Sequence, residues 1–281
     1  MNIWGDIFTS LKEALFPTRC LICGTFYDLG EHHDKDHCEG KFMDATVLMY
    51  SPNDIFQKLM NTFLCPACTA GFENIESPIC PVCGIMFESR EGEDHICGEC
   101  ILAPKRFRIA RAVGVYDRTL MAVLHYFKYK GKIQLARPLG QLLFCAFTQN
   151  WNEKEIELIV PVPLHTKRLR KRGFNQAFLL IRNWALYAEM ADIELDHLNI
   201  RRDILSRNRW TEPQTGLSRY RRMSNIKNVF NIKDSSKVIE KSVLLVDDVY
   251  TTGATADECA KTLLQSGAKH VDVLTLARAI R

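Results

Sequence analysis

The chain begins with apolar side chains at helical spacing: Ile3, Trp4, Ile7, Phe8, Leu11, Leu15 and Phe16. They predict an amphipathic helix that stops at Pro17. Few basic residues flank it, so its apolar face is read as packing on the protein rather than on a membrane. From there to Leu102–Lys105 the chain is rich in Pro and Gly and holds no helical period. Beyond that point apolar runs and helical periods alternate. Arg108–Tyr116 reads as a strand, Thr119–Tyr129 as a helix and Gly140–Phe147 as a helical segment. Glu157–Leu164 reads as a strand running into a loop, and Phe174–Met190 as a helix. Lys241–Asp247 is a short continuous apolar run, the mark of a parallel strand buried on both faces. Ala256, Cys259, Ala260, Leu263 and Leu264 follow at helical spacing, stopped near Gly267, and His270–Leu276 is a last strand. Alternating strands and helices predict an α/β domain with a mainly parallel sheet over residues 105–281, preceded by a smaller unit over residues 1–104.

Length agrees with two units, since 281 residues approach the size at which one core stops growing. With 47% hydrophobic and 25% charged residues, the chain is neither wholly disordered nor collagen-like. A net charge of +4 does not demand a nucleic acid. The apolar run Gln141–Phe147 is far too short to span a membrane. Asp6, Lys12 and Glu13 interrupt any signal-peptide core. The expected compartment is the cytoplasm, where thiols stay reduced.

The cysteines change the picture. Eight of eleven fall into four Cys-x-x-Cys pairs, Cys20/Cys23, Cys65/Cys68, Cys80/Cys83 and Cys97/Cys100. Chance placement would give roughly 0.4 such pairs. Each pair brings two thiolates to one Zn²⁺, and two pairs complete a tetrahedron with Zn–S bonds of ~2.3 Å. Gly24 and Gly84 follow the first and third pairs, where the backbone turns its N–H groups toward sulfur. Two structural Zn²⁺ sites with all ligands from protein are expected. The 13 residues between Cys83 and Cys97 favour sequential pairing, first with second and third with fourth, while an interleaved arrangement stays open. The gap of 41 residues between Cys23 and Cys65 is long. Its polar stretch 31–39 reads as a solvated loop, and the eight paired cysteines make extra ligands such as His37 or Cys38 unnecessary. A redox motif would occur once, at a strand-to-helix junction, rather than four times. Cys145 and Cys259 fall in apolar helical patterns and read as buried thiols.

The second chemical signal is Val243–Thr255, an apolar strand ending in Asp247-Asp248, then a hydroxyl-rich loop, then a helix. Thr251, Thr252, Gly253, Ala254 and Thr255 present successive backbone N–H groups at a helix N-terminus, which is an anion site. Gly253 lets the backbone approach a phosphate closely. Asp247 and Asp248 suit the hydroxyls of a ribose or a hydrated Mg²⁺. A ribose 5-phosphate satisfies both halves at the carboxyl end of a strand. The loop lacks the Gly-Lys-Thr of a Walker motif.

This segment resembles the phosphoribosyl pyrophosphate (PRPP) signature of type I phosphoribosyltransferases. Together with Val160–Pro163, Arg168, Arg172–Gln176, Thr211–Arg219 and the four cysteine pairs, it resembles the ComF family over nearly the whole chain. The resemblance implies a double zinc ribbon followed by a type I phosphoribosyltransferase-like parallel-sheet domain. It implies that Asp247 and Asp248 are catalytic, holding ribose and Mg²⁺, and that residues 251–255 cradle the 5-phosphate of PRPP. A loop at Leu164–Arg168, with His165, Lys167 and Arg168, would hold pyrophosphate, and the basic segment 201–222 would cover the site. The gap of 41 residues is longer than the family's usual spacing.

Purine-salvage members of the superfamily place an acidic base at the position of Thr251. Threonine does not act as a base near neutral pH, so purine salvage is not expected and the acceptor stays unnamed. The family also implies a link to DNA uptake, with single-stranded DNA or a competence protein as partner. Lys167–Arg172 would then touch phosphates, while Trp210 or Phe174 would stack on bases. A PRPP sensor without turnover, recruiting a partner through its ribbons, is the other expectation.

Overall fold

The computed structural model describes residues 18–28, 50–152, 155–195, 198–210 and 226–280. The predicted helix at 3–16, the segment with His37 and Cys38, and the motif Thr211–Arg219 lie outside them. The first elements form the cysteine-rich segment: β1 (Thr18–Arg19), β2 (Phe26–Tyr27), α1 (Pro52–Met60), α2 (Pro66–Thr69) and α3 (Gly98–Leu102). Then come β3 (Ala110–Val115), α4 (Arg118–Tyr129), α5 (Ala136–Asn150), β4 (Leu158–Pro161), α6 (Thr166–Arg172), α7 (Gln176–Ile181) and α8 (Trp184–Met190). The chain continues through β5 (Asn199–Ile200), β6 (Leu205–Arg207), β7 (Phe230–Ile232), β8 (Ser242–Tyr250), α9 (Ala254–Gln265) and β9 (His270–Arg278).

Five strands make one parallel sheet in the order β3-β9-β8-β4-β5. β8 is central, and every residue from Ser242 to Val246 is buried, as a strand covered on both faces requires. Alternation divides its side chains. Leu244 and Val246 join a core formed with α4, α5, α7 and α8, while Val243 and Leu245 join a second core with α9 and the β6–β7 ribbon. Asp272 of β9 is buried and accepts from Trp151 Nε1 at 2.7 Å and from the Arg108 guanidinium, which ties the end of α5 to the sheet.

The cysteine-rich segment joins both cores. Cys20 and Cys65 pack with Phe56, Phe72 and α5 on one face, and Cys80, Cys83, Cys97 and Cys100 pack with β9 and α9 on the other. Its backbone also extends the sheet edge, since Ile75 N donates to Val113 O and Val115 N donates to Glu73 O.

Most predicted elements form where the pattern placed them. The helix predicted over Phe174–Met190 is two helices, α7 and α8. Asn175 caps the first by accepting from the N–H groups of Ala177 and Phe178. The chain breaks before Trp184, whose buried indole donates to Leu180 O at 3.0 Å. The loop expected at Leu164–Arg168 is instead the start of α6. His165 caps that helix by accepting from Lys167 N, and Gly173 ends it in the left-handed conformation at φ 84°.

Candidate functional site

A cavity of about 970 Å³ opens at the carboxyl ends of β8 and β4, where parallel α/β sheets bind ligands. Asp247, Asp248, Thr251, Thr252, Gly253, Ala254 and Thr255 all line it, and so does Arg168. Lys167 does not, and its ammonium lies 5.7 Å from the centre of the Trp210 ring.

The two carboxylates diverge because neighbouring strand residues face opposite sides. Asp248 is buried, and its Oδ2 lies 2.9 Å from Lys128 Nζ on α4. Burial pushes the Lys128 ammonium down, but the charge and hydrogen bond of Asp248, together with the charges of Asp247 and Tyr116, outweigh it and hold Lys128 above its usual range. Asp248 is thus held in a buried ion pair, while Asp247 accepts from the Asp248 N–H at 2.9 Å. Asp247 is pushed up to about 7 by burial and then by the charge of Asp248, against the pull of the Asp248 N–H, Lys128 and Arg207.

The loop after β8 turns at Gly253, with φ 74°, and delivers its amides to the first turn of α9. A Cβ at Gly253 would lie 2.0 Å from Tyr250 Oη, so the glycine is required by space as well as by dihedral. Across the cavity stand Arg168, Lys171 and Arg172 of α6 together with Arg207 of β6. Arg207 belongs to the basic segment expected to cover the site, and is buried. In the same segment, Arg201 is bound instead to Asp203.

Sequence reasoning did not single out Lys128. It follows Leu124 by one helical turn on the face that buries Leu120, Leu124 and Phe127. A lone cation on an apolar stripe was the available signal. Tyr116 and Tyr129, which also line the cavity, carried no pattern that set them apart.

The cysteines gather as sequential pairing expects: Cys20, Cys23, Cys65 and Cys68 in one cluster, and Cys80, Cys83, Cys97 and Cys100 in another. Within each, the sulfurs all lie within 4.8 Å of one another. Cys23–Cys65 and Cys83–Cys97 are both 3.7 Å apart, which is the edge of a tetrahedron with metal–sulfur bonds of ~2.3 Å. A disulfide would need ~2.05 Å. The residues therefore fit a zinc ion in each cluster. Both clusters share one plan. The first pair sits on a glycine-ended turn, closed by Gly24 N to Cys20 O and by Gly84 N to Cys80 O. The second pair opens a short helix, α2 or α3, with Cys65 or Cys97 as its N-cap. Cys145 and Cys259 are buried free thiols, as expected.

Fold and site together define an α/β parallel-sheet protein with a glycine-turned loop between a strand end and a helix, and two four-cysteine clusters able to hold a metal. No protein-family model matches the chain. It is 32% identical over 220 residues to Competence protein F of Haemophilus influenzae, across 77% of this chain and 90% of that one. It is 30% identical over 224 residues to Competence protein ComFC of Bacillus subtilis, covering 77% of this chain and 84% of that one. DNA utilization protein YhgH of Escherichia coli K12 is 29% identical over 221 residues, with 77% and 91% covered. The chain belongs to the ComF family.

Among solved structures, a hypoxanthine phosphoribosyltransferase from Staphylococcus aureus aligns at TM-score 0.31 and 15% identity, over 52% of this chain and 64% of that one. The allosteric regulatory enzyme of purine biosynthesis aligns at TM-score 0.28 and 20% identity, over 50% of this chain and 25% of that one. The chain spans less than two thirds of either. No helix among the described residues is long and apolar enough to cross a membrane.

Proposed function

We propose that the cavity binds PRPP with Mg²⁺ and transfers its ribose 5-phosphate to an acceptor with release of pyrophosphate, in the cytoplasm. The observation that carries this reading is the convergence of Asp247, the 251–255 loop and the cations of α6 on one cavity. Amides and hydroxyls of 251–255 would hold the 5-phosphate. Asp247 would accept from the ribose hydroxyls, and Arg168 and Arg172 would face the pyrophosphate. Mg²⁺ bound with PRPP would neutralise charge building on the departing pyrophosphate. One carboxylate plus ligand oxygens suits that ion, which retains waters and takes few protein ligands. Asp248 acts at one remove, by holding Lys128 at the cavity wall. In the transfer, the acceptor's nucleophile bonds to C1 of the ribose as the C1–O bond to pyrophosphate breaks, and positioning with charge stabilisation supplies most of the catalysis. We also propose a division of labour at about residue 104, with the metal-held segment bracing the sheet and residues 105–281 binding the ligand.

Calorimetric titration with PRPP, with and without Mg²⁺, tests the reading. Mg²⁺-dependent binding that is lost in Asp247→Ala/Asp248→Ala supports it; equal binding by parent and variant sinks it. Pyrophosphate release separates an enzyme from a sensor.

A second reading is favoured by the cavity rim. Trp210 is 40% exposed, with the Arg168 guanidinium 5.5 Å from its ring centre, and Tyr129 is 63% exposed, with Arg172 at 5.1 Å. Exposed rings interleaved with arginines suit single-stranded DNA, through stacking and phosphate contact. Competence and DNA utilization in the relatives' names agree with such a partner. Binding that does not weaken as salt rises would count against it.

A further inference from the structure

Between the second cysteine cluster and the 251–255 loop lies a buried cation. Arg278, the last residue of β9, is 4% exposed. Its Nη2 donates to Cys83 Sγ at 3.3 Å. Among the described residues, its Nε and Nη1 have no hydrogen-bond partner. The guanidinium carbon sits 4.2 Å from the centre of the Tyr250 ring. Tyr250 is also 4% exposed, pairs with Arg278 across β8 and β9, and has a buried Oη with no hydrogen-bond partner among the described residues. That same Oη occupies the space a Cβ on Gly253 would need. An unbroken line of contact therefore runs from a cluster sulfur through Arg278 and the Tyr250 ring to the turn of the loop.

The charges give this line a direction. Four thiolates around one divalent metal carry a net double negative charge, and the Arg278 guanidinium beside them is compensated. Without the metal nothing holds the four sulfurs together, and Arg278, which is buried and hydrogen-bonded to Cys83 Sγ, loses a fixed partner. Such a group moves or draws in water. Tyr250 then loses the cation packed on its face, and Gly253 loses the surface that shapes its turn.

We propose that the metal in the second cluster and an anion in the 251–255 loop are coupled through Arg278 and Tyr250, so that filling either site tightens the other. Arg278 and Tyr250 are positioning residues in this scheme. The coupling is reciprocal because it is a free energy shared between two sites. It rests on the loop being an anion site, as in the proposed function, but its test does not require a ligand.

Metal release from the full chain into a chromophoric chelator should show two phases, assigned with Cys23→Ser, which alters the first cluster alone. Gly253→Ala presses a methyl group onto Tyr250 while leaving every sulfur in place. It should speed the second-cluster phase about tenfold and leave the first unchanged. Should that variant not fold, Tyr250→Leu reads the same link, with the same result expected. Release that is unchanged, or accelerated equally in both phases, overturns the coupling. Separately, Arg278→Met should weaken PRPP binding about tenfold in calorimetry, while Cys23→Ser leaves it unchanged. Failure of the parent protein to bind PRPP would overturn the proposed function, and the metal-release result would still decide the coupling.

Discussion

The two cysteine clusters use one local plan in two environments. In each, a glycine-ended turn supplies the first two sulfurs and a helix N-terminus supplies the others. The first cluster leaves Cys23 exposed and Cys68 half-buried, at the edge of the core that holds α5. The second is wholly buried against β9 and α9, with Arg278 on one sulfur. The surroundings set what each thiol is worth. Thr25 hydrogen bonds hold the exposed Cys23 thiol down at about 6. Burial pushes Cys83 up, although the Arg278 cation pulls against it. The expected outcome is that metal at the exposed cluster exchanges more readily than metal at the buried one.

The largest expected effect breaks that symmetry. Cys83→Ser should abolish metal binding at the second cluster and unfold the face it supports, since structural zinc contributes about 10–16 kcal/mol of apparent binding energy in isolated finger peptides. Cys23→Ser should lower the melting temperature far less. Metal content and thermal melts of the two variants decide it, and equal losses would mean that burial does not rank the clusters.

Chelation sharpens the ranking in time. Metal should leave the first cluster before the second, with residues 105–281 still folded after the first loss, as limited proteolysis and metal analysis would report. Release of both metals together would instead make the cysteine-rich segment a single cooperative unit.

A smaller effect separates the ligand cavity from both clusters. Lys128→Met leaves Asp248 buried without its partner, at a cost of about 3–5 kcal/mol. Both metals should be retained, because Lys128 touches neither cluster. Denaturant unfolding beside metal analysis checks this, and loss of either metal would refute the separation.

The smallest effect depends on pH. Asp247 holds its proton more tightly in the fold than in the unfolded chain, so it costs the fold stability as pH rises from about 4 to about 7. Asp247→Asn removes that cost. Relative to the parent, the variant should gain on the order of 1–2 kcal/mol between pH 4 and pH 7, and little more above. The gain should appear without any change at the clusters, and a flat difference across pH would contradict the assignment.

Local chemistry made much of this legible in the sequence. Cys-x-x-Cys spacing declared the eight cysteines that gather into two clusters able to hold a metal, because two thiols three residues apart can meet on one ion without help from the rest of the chain. The apolar run 243–246, the carboxylates after it and the small loop were equally readable, since strand, turn and helix start are consecutive. Less legible was any contact between distant segments. Lys128 lies 120 positions from its partner Asp248, and its meaning appears only when α4 is laid against β8. Residues 164–168 were expected as a loop on the family resemblance, yet His165 and Gly173 cap the basic run they open into α6.

The sequence by itself thus determined the two cysteine clusters, the parallel-sheet class and the strand-end loop, all set by neighbours along the chain. Only the tertiary structure decided which cluster is buried, which aspartate is paired with Lys128, and that Arg278 lies between Cys83 and Tyr250. Burial and charge pairing are properties of packed surfaces. They depend on which faces of β8 and β9 are covered, and by what.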